Sequence, residues 1–307
     1  MAKLVIQGVI PPMLTPFDVN GDIDYEKHVR NLQRWNSDDL AGYVVLGSNS
    51  EAAYLSETEK LRLIETTVAH AATGRILVAG TGMESARFTI QLTNQAARLG
   101  VHAALVLTPS YYADQMTTEA LIAYFTEVAE HSEIPILLYN VPRFTHVNIS
   151  AEAVGHLSRH PNIIGIKDSH GDVAQLAQFQ RVAAEDFNLM VGTASVWYPA
   201  LVLGIRAGIM ALANIAPNQC SEAQRAVMAG DHARAREIYL RLLPVNKAVT
   251  TTYGIAGLKY AADLTGYEGG CVRLPLLPLT AEEQTRLKEI LARAGLLVNE
   301  VPGAPVQ

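Results

Sequence analysis

Short apolar runs recur along this chain at nearly regular intervals, and that spacing restricts the fold more than any other feature. The runs are QGVIPPML from residue 7, YVVLG from 43, ILVAG from 76, AALVLTP from 103, IPILLYN from 134, NIIGIKD from 162, NLMVG from 188 and AGIMAL from 207. From the second run to the eighth they start roughly 20 to 35 residues apart, the size of a repeating βα unit. Both alternations of each run are apolar, as expected of parallel strands covered on both faces. Between them lie amphipathic segments such as SETEKLRLIETTVAHA (56–71) and TTEALIAYFTEVAEH (117–131). Each opens with Ser or Thr and an acidic first turn, a helix-start signal. Eight such units in about 220 residues predict a closed TIM (β/α)8 barrel. The runner-up is an open doubly wound sheet, which would more often carry one glycine-rich phosphate loop after its first strand. The nearest candidate, AGTGMES (79–85), follows the third run and lacks the full spacing, which argues against dinucleotide binding.

After residue 217 the strand-like runs stop. The segments 217–249, 251–264 and 280–295 read as three or four helices, so the expected division is a barrel over 1–217, a C-terminal helical appendage over 218–298 and a mobile tail over 299–307. The longest apolar stretch, 196–216, is interrupted by Pro199 and Arg206 and reads as a buried helix followed by a strand rather than a membrane span. The first residues, MAKLVIQGVIPP, lack a clean apolar core and a small-residue cleavage site, so no secretory signal is expected. With 24 Lys and Arg against 30 Asp and Glu, and no basic cluster, nothing supports nucleic-acid binding. The two cysteines, Cys220 and Cys271, read as reduced thiols of a cytoplasmic protein. Nine scattered histidines, with no C-x-x-C or H-E-x-x-H pattern, imply no metal.

In a parallel barrel the functional residues lie at the C-terminal ends of the strands. Read there, the runs deliver Gly47, Ser48, Asn49, Ser50 and Glu51, then Thr108 to Tyr112, then Tyr139 and Asn140, then Lys167, Asp168 and Ser169, then Gly192 and Thr193, and at the last Asn214. The lysine is the telling residue. An ammonium is costly to bury, yet NIIGIKD carries one to its end. A partly desolvated lysine has a lowered pKa and becomes a nucleophilic amine, whose natural target is a ketone or aldehyde. The resulting protonated imine is an electron sink for breaking or making the neighbouring C–C bond, and a nearby tyrosine relays protons. Backbone N–H groups at GSNSE, where a helix is expected to start, suit a carboxylate. The competing reading of Lys167 is a structural ion pair with Asp168 or another carboxylate. Lys259 also has apolar neighbours, but a helical lysine usually extends its amine to water.

Together these residues resemble the dihydrodipicolinate synthase / N-acetylneuraminate lyase family of Schiff-base aldolases, over about residues 7 to 290. The family's turn appears as GSNSE, its Y-x-V-P motif as YNVP (139–142) and its G-x-K-[DE] strand as GIKDS (165–169). The resemblance implies that Lys167 forms an imine with pyruvate or another 2-oxo acid, and that Tyr139 relays protons. It implies that Ser48 and Asn49 hold the carboxylate, and that Ser48 links Tyr139 to a second tyrosine from a neighbouring subunit. Tyr111 is the better match for that tyrosine and Tyr112 the fallback. A homo-oligomer follows, a dimer or a dimer of dimers, with a 2-oxo acid and an aldehyde as partners. No cofactor is implied, since the lysine supplies the electron sink. Gly192 and Asn214 are read as further substrate contacts.

Departures from the pattern bear on the second substrate. The family's synthases follow YNVP with a small residue, then Arg, Thr, Gly, where the arginine grips the carboxylate of aspartate semialdehyde. This chain reads YNVPRFTH, with Phe144 in the arginine's place, His146 in the glycine's, and Arg143 one residue early. The Ser-Asn turn, TPSYY, HPNIIGIKDSHGDV and the late run VNKAVTTTYGIAGLKYAADLTGYEGGCVRLPL look closer to 4-hydroxy-2-oxoglutarate aldolases. Those enzymes would cleave 4-hydroxy-2-oxoglutarate to pyruvate and glyoxylate, with Ser169 and Arg143 as distal contacts and His146 and His170 nearby. Ser50 replaces a glycine of the turn, and His170 another; if position 50 needs φ > 0, a serine strains it. The alternatives are dihydrodipicolinate synthesis, a sugar-acid lyase or dehydratase of the same fold, or a non-catalytic 2-oxo acid binding protein.

Overall fold

The computed structural model describes residues 4–298; the expected tail, 299–307, lies outside them. All eight apolar runs form parallel strands: β1 (Gly8–Ile10), β2 (Gly42–Val45), β3 (Ile76–Gly80), β4 (Ala103–Leu107), β5 (Ile136–Asn140), β6 (Ile163–Asp168), β7 (Asn188–Val191) and β8 (Ala207–Ile209). Their order is β1-β8-β7-β6-β5-β4-β3-β2, one sheet wound on itself. The seam between β1 and β2 is short because Pro11 and Pro12 have no N–H to donate. It closes through Ala41 N to Val9 O (2.9 Å), Val44 N to Pro11 O (3.0 Å) and Met13 N to Val44 O (2.9 Å). The result is the expected TIM barrel.

The connecting helices are α1 (Tyr25–Asn36), α2 (Glu57–His70), α3 (Ala86–Leu99), α4 (Thr118–His131), the single turn α5 (Pro142–Thr145), α6 (Ala151–Leu157), α7 (Val173–Val182) and α8 (Trp197–Val202). The helix starts read from sequence carry the expected caps. Ser56 and Glu59 form a reciprocal capping box at α2, and Thr117 accepts from Ala120 N at α4. After β8 come α9 (Pro217–Met228), α10 (His232–Lys247), α11 (Gly254–Leu264) and α12 (Ala281–Arg293). Residues 248–252, between α10 and α11, form a π-helical turn. The C-terminal helices bury Ile238, Leu258 and Leu287 in the same cluster as Leu32 and Trp35 of α1. The barrel interior is a second cluster of modest side chains, among them Ile10, Val44, Val78, Leu105, Leu137 and Met190. Among the described residues no helix is long and apolar enough to cross a membrane.

One irregularity decides where the site forms. Ile136 of β5 pairs with Ile163, but Leu137 pairs with Gly165, so Ile164 is an extra residue in β6. Because side chains alternate, a one-residue slip exchanges the two faces of a strand. Before the bulge Ile163 faces the helices beside Ile136, whereas Ile164 joins the interior with Leu137. Past it, Tyr139 is paired with Lys167 and Asn140 with Asp168.

Candidate active site

The register sends Lys167 and Tyr139 inward and Asn140 and Asp168 outward. Lys167 is 2% exposed and its Nζ lies 4.1 Å from the centroid of the Tyr139 ring. Asp168 instead accepts from Asn140 Nδ2 (2.6 Å) and Gln175 Nε2 (3.2 Å) on the helix side. Burial pushes its carboxyl above the ordinary range, against the pull of the Asn140 bond. Among the described residues no carboxylate makes an ion pair with Lys167. The structural ion pair with Asp168 is therefore absent, for the geometric reason that neighbours in a strand face opposite ways.

Tyr139 Oη lies 3.2 Å from Ser48 Oγ. Burial would raise the phenol's pKa, but the Lys167 ammonium and the bond to Ser48 outweigh it, and the net shift is downward. These three side chains open into a cavity of about 370 Å³ at the C-terminal end of the barrel. Asn49, Ser169, Arg143 and Gly192 also line it, as do Phe144 and His170. Ser169 Oγ is buried there with no hydrogen-bond partner. A Cβ at Gly192 would fall 1.8 Å from that oxygen and 2.9 Å from the Ser169 Cα, so the close approach of the two backbones relies on glycine here. Among the described residues no Asp or Glu lines the cavity, while Lys167, Arg143 and His170 do. In a chain of net charge −6, this is a local field suited to an anion.

Several expectations are corrected. Asn214 does not line the cavity. It is fully buried, accepts from Leu14 N (3.1 Å) and donates to Pro12 O (3.1 Å) and Ala211 O (3.0 Å), so its amide ties the barrel's first and last strand ends together. GSNSE does not start an α-helix: residues 48–50 form one 3-10 turn, and α2 begins at Glu57. The left-handed residue of this turn is Glu51 (φ 55°, ψ 34°), not Ser50, whose hydroxyl donates to Met13 O at 2.6 Å. His146, in the other glycine's place, does adopt φ 56°, closing the α5 turn. Lys259 does not reach water: it is 1% exposed, with Nζ 2.5 Å from Glu51 Oε1.

Tyr111 does not line the cavity; it is 79% exposed and stacks edge-on against Tyr112 at 5.0 Å. Its loop is nonetheless fixed, because the Glu84 carboxylate accepts from Ser110 N (2.9 Å), Ser110 Oγ (2.8 Å) and Tyr111 N (3.0 Å). Sequence reading also missed one wall. Val249, Thr250 and Thr251 of the π turn line the cavity with Gly254 and Ile255 of α11, and the Thr250 and Thr251 carbonyls accept from Arg143 at 2.8 and 3.3 Å. The signal was the run TTTYG, where a glycine and β-branched residues interrupt a helical pattern; such π turns often mark functional sites.

Comparisons with known proteins agree with this geometry. The model of the dihydrodipicolinate synthetase family matches residues 5–294. A 4-hydroxy-tetrahydrodipicolinate synthase of Symbiobacterium thermophilum is 37% identical over 291 residues, covering 94% of this chain and 98% of the relative. That of Cereibacter sphaeroides is 35% identical over 300 residues, covering 95% and 100%. The crystal structure of dihydrodipicolinate synthase from Aquifex aeolicus superposes with a TM-score of 0.90 at 30% identity, over 96% of this chain and 100% of that one. These relatives bear the synthase's name, so they lend no support to a closer kinship with 4-hydroxy-2-oxoglutarate aldolases. An amine and a phenol paired across two barrel strands, a hydroxyl bound to that phenol, and likeness over nearly the whole length place this chain in the dihydrodipicolinate synthetase family.

Proposed function

We propose that this chain is a class I aldolase that holds pyruvate, or a close 2-oxo acid relative, as an imine on Lys167. Enzymes of this family are lyases that use a lysine Schiff base and no external cofactor. The observation that carries the reading is the β5–β6 register, which sets a buried amine beside a phenol in a cavity free of lining carboxylates. Lys167 Nζ attacks the C2 carbonyl, and water leaves as the imine forms. The protonated imine draws electrons from C3, which loses a proton and attacks the aldehyde carbon; the reverse sequence cleaves that bond. Tyr139 is placed to carry the protons, and Ser48, its hydrogen-bond partner, keeps the phenol oriented. Ser48 and Asn49 hold the 2-oxo acid's carboxylate, with Ser169 and Gly192 shaping the far side.

For the second substrate we prefer aspartate semialdehyde, condensed with pyruvate, because the relatives are synthases of 4-hydroxy-tetrahydrodipicolinate. One observation favours cleavage of 4-hydroxy-2-oxoglutarate instead. Phe144 lines the cavity where the synthases carry an arginine, and Arg143 beside it is turned to the Thr250 and Thr251 carbonyls. Steady-state assays of both reactions decide between them. A higher kcat/KM for the condensation supports the preferred reading, and a higher one for the cleavage reverses it. If pyruvate forms its adduct but neither reaction turns over, the acceptor is another aldehyde, such as a sugar-derived one. We further propose that Tyr111 completes the relay of a second copy, as its exposure and its fixed loop suggest, which makes a dimer the smallest active unit.

A further inference from the structure

The turn that carries Ser48 and Asn49 is anchored from behind by a charge pair that the chemistry above does not use. Glu51 follows that turn directly, and its side chain is buried. Its Oε1 lies 2.5 Å from Lys259 Nζ on α11, and its Oε2 accepts from Arg273 N at 2.9 Å. Lys259 Nζ also donates to Cys271 O (2.5 Å) and lies 4.3 Å from the centroid of the Phe17 ring. The Arg273 guanidinium lies 4.4 Å from the centroid of the same ring. Burial pulls the Lys259 pKa down to about 8, with the Glu51 charge opposing. The ammonium is therefore held by its partner against a site that disfavours it.

A buried ion pair rarely stabilises a fold more than apolar residues of the same volume would. What this one does fix is geometry. Glu51 holds a left-handed backbone that non-glycine residues seldom adopt, and Glu51 N donates to Ser48 O at 3.2 Å. Drawing the Glu51 carboxylate toward Lys259 therefore sets the direction of the Ser48–Asn49 backbone. We propose that Lys259 is a positioning residue, acting through Glu51 to hold the Ser48–Asn49 turn in the geometry that receives the 2-oxo acid's carboxylate. The inference rests on the role assigned above to Ser48 and Asn49. It couples α11, whose N-terminal residues Gly254 and Ile255 line the cavity, to the Ser48–Asn49 turn that lines the same cavity.

The test compares wild type with Lys259→Met, Lys259→Arg, Glu51→Gln and the double variant Glu51→Gln/Lys259→Met. Each is measured for its urea midpoint and for the pyruvate concentration that gives half-maximal borohydride trapping on Lys167. The double variant removes both charges, so it reports on position without leaving a lone buried charge. The expected result is a rise of about tenfold or more in that concentration for Lys259→Met, Glu51→Gln and the double variant. Trapping at saturating pyruvate should stay near wild type, and Lys259→Arg should recover part of the affinity. If Lys259→Met fails to fold, the double variant and Glu51→Gln decide. Folded variants that trap pyruvate at the wild-type concentration would overturn the proposal, as would an affinity loss that merely tracks the urea midpoint. A wild type that forms no adduct would overturn the functional reading and this inference together, whereas an adduct with unchanged variants overturns the inference alone.

Discussion

At the scale of single residues, the chemistry depends on what surrounds each titrating group. Tyr139 is desolvated, yet its pKa is drawn downward by Lys167 and Ser48, which suits a phenol that gives up and retakes a proton. Tyr139→Phe should lower kcat by roughly 10²- to 10⁴-fold while leaving pyruvate trapping on Lys167 detectable; an unchanged kcat would remove the proton relay from the mechanism. His28 tests burial in another place. It is fully enclosed, its Nε2 lies 3.0 Å from Thr67 Oγ1, and burial first, then His70, lowers its pKa from 6.5 to about 4. Between those values the unfolded chain binds a proton that the folded chain refuses. Stability is therefore present above pH 6.5 and lost as pH falls through 4. His28→Asn should flatten the fall in urea midpoint between pH 7 and pH 5, and a fall of unchanged steepness would contradict this. That Lys167, Tyr139 and Ser48 meet in one cavity was legible in the sequence, from the strand ends they close and the family motifs they sit in. Glu51 and Lys259 were not, because a lysine on an amphipathic helix looks the same in sequence whether its amine reaches water or a buried carboxylate.

At the scale of elements, all eight strands and the C-terminal helices were legible, because parallel strands covered on both faces and amphipathic helices leave distinct patterns. The bulge at Ile164 was not. Continuing the Ile136–Ile163 pairing would have set Lys167 beside Asn140, facing the helices, and nothing in the run IIGIKD announces the extra residue. Gly165 lets the strands meet there: a Cβ would lie 2.5 Å from Asn188 O, a backbone atom with little room to give. Gly165→Ala should cost about 1–3 kcal/mol of stability and reduce trapping on Lys167. An unchanged denaturant midpoint would show that the close approach is dispensable. The π turn over residues 248–252 escaped for a related reason, since α10 and α11 read as separate helices and the run TTTYG between them read as an ordinary helix break.

At the scale of the whole molecule, the barrel gathers residues from six strand ends and from the C-terminal helical region around one cavity that, among the described residues, no carboxylate lines. Composition concealed this, because net charge describes the entire chain and the cavity's local field opposes it. The role proposed for Tyr111 belongs to this scale, since the single chain leaves it exposed. Lys167→Ala and Tyr111→Ala should each be nearly inactive alone. Co-refolded in equal amounts, they should recover about a quarter of wild-type activity, because random pairing gives half mixed dimers with one intact site each. No recovery in dimers shown to be mixed would confine Tyr111 to its own subunit. The most direct test of the imine itself is intact mass after borohydride reduction in the presence of pyruvate, on wild type and on Lys167→Ala. The expected result is one reduced pyruvate adduct per wild-type chain and none on the variant. A folded wild type without an adduct, or an equal adduct on Lys167→Ala, would contradict the assignment of Lys167 as the imine-forming residue.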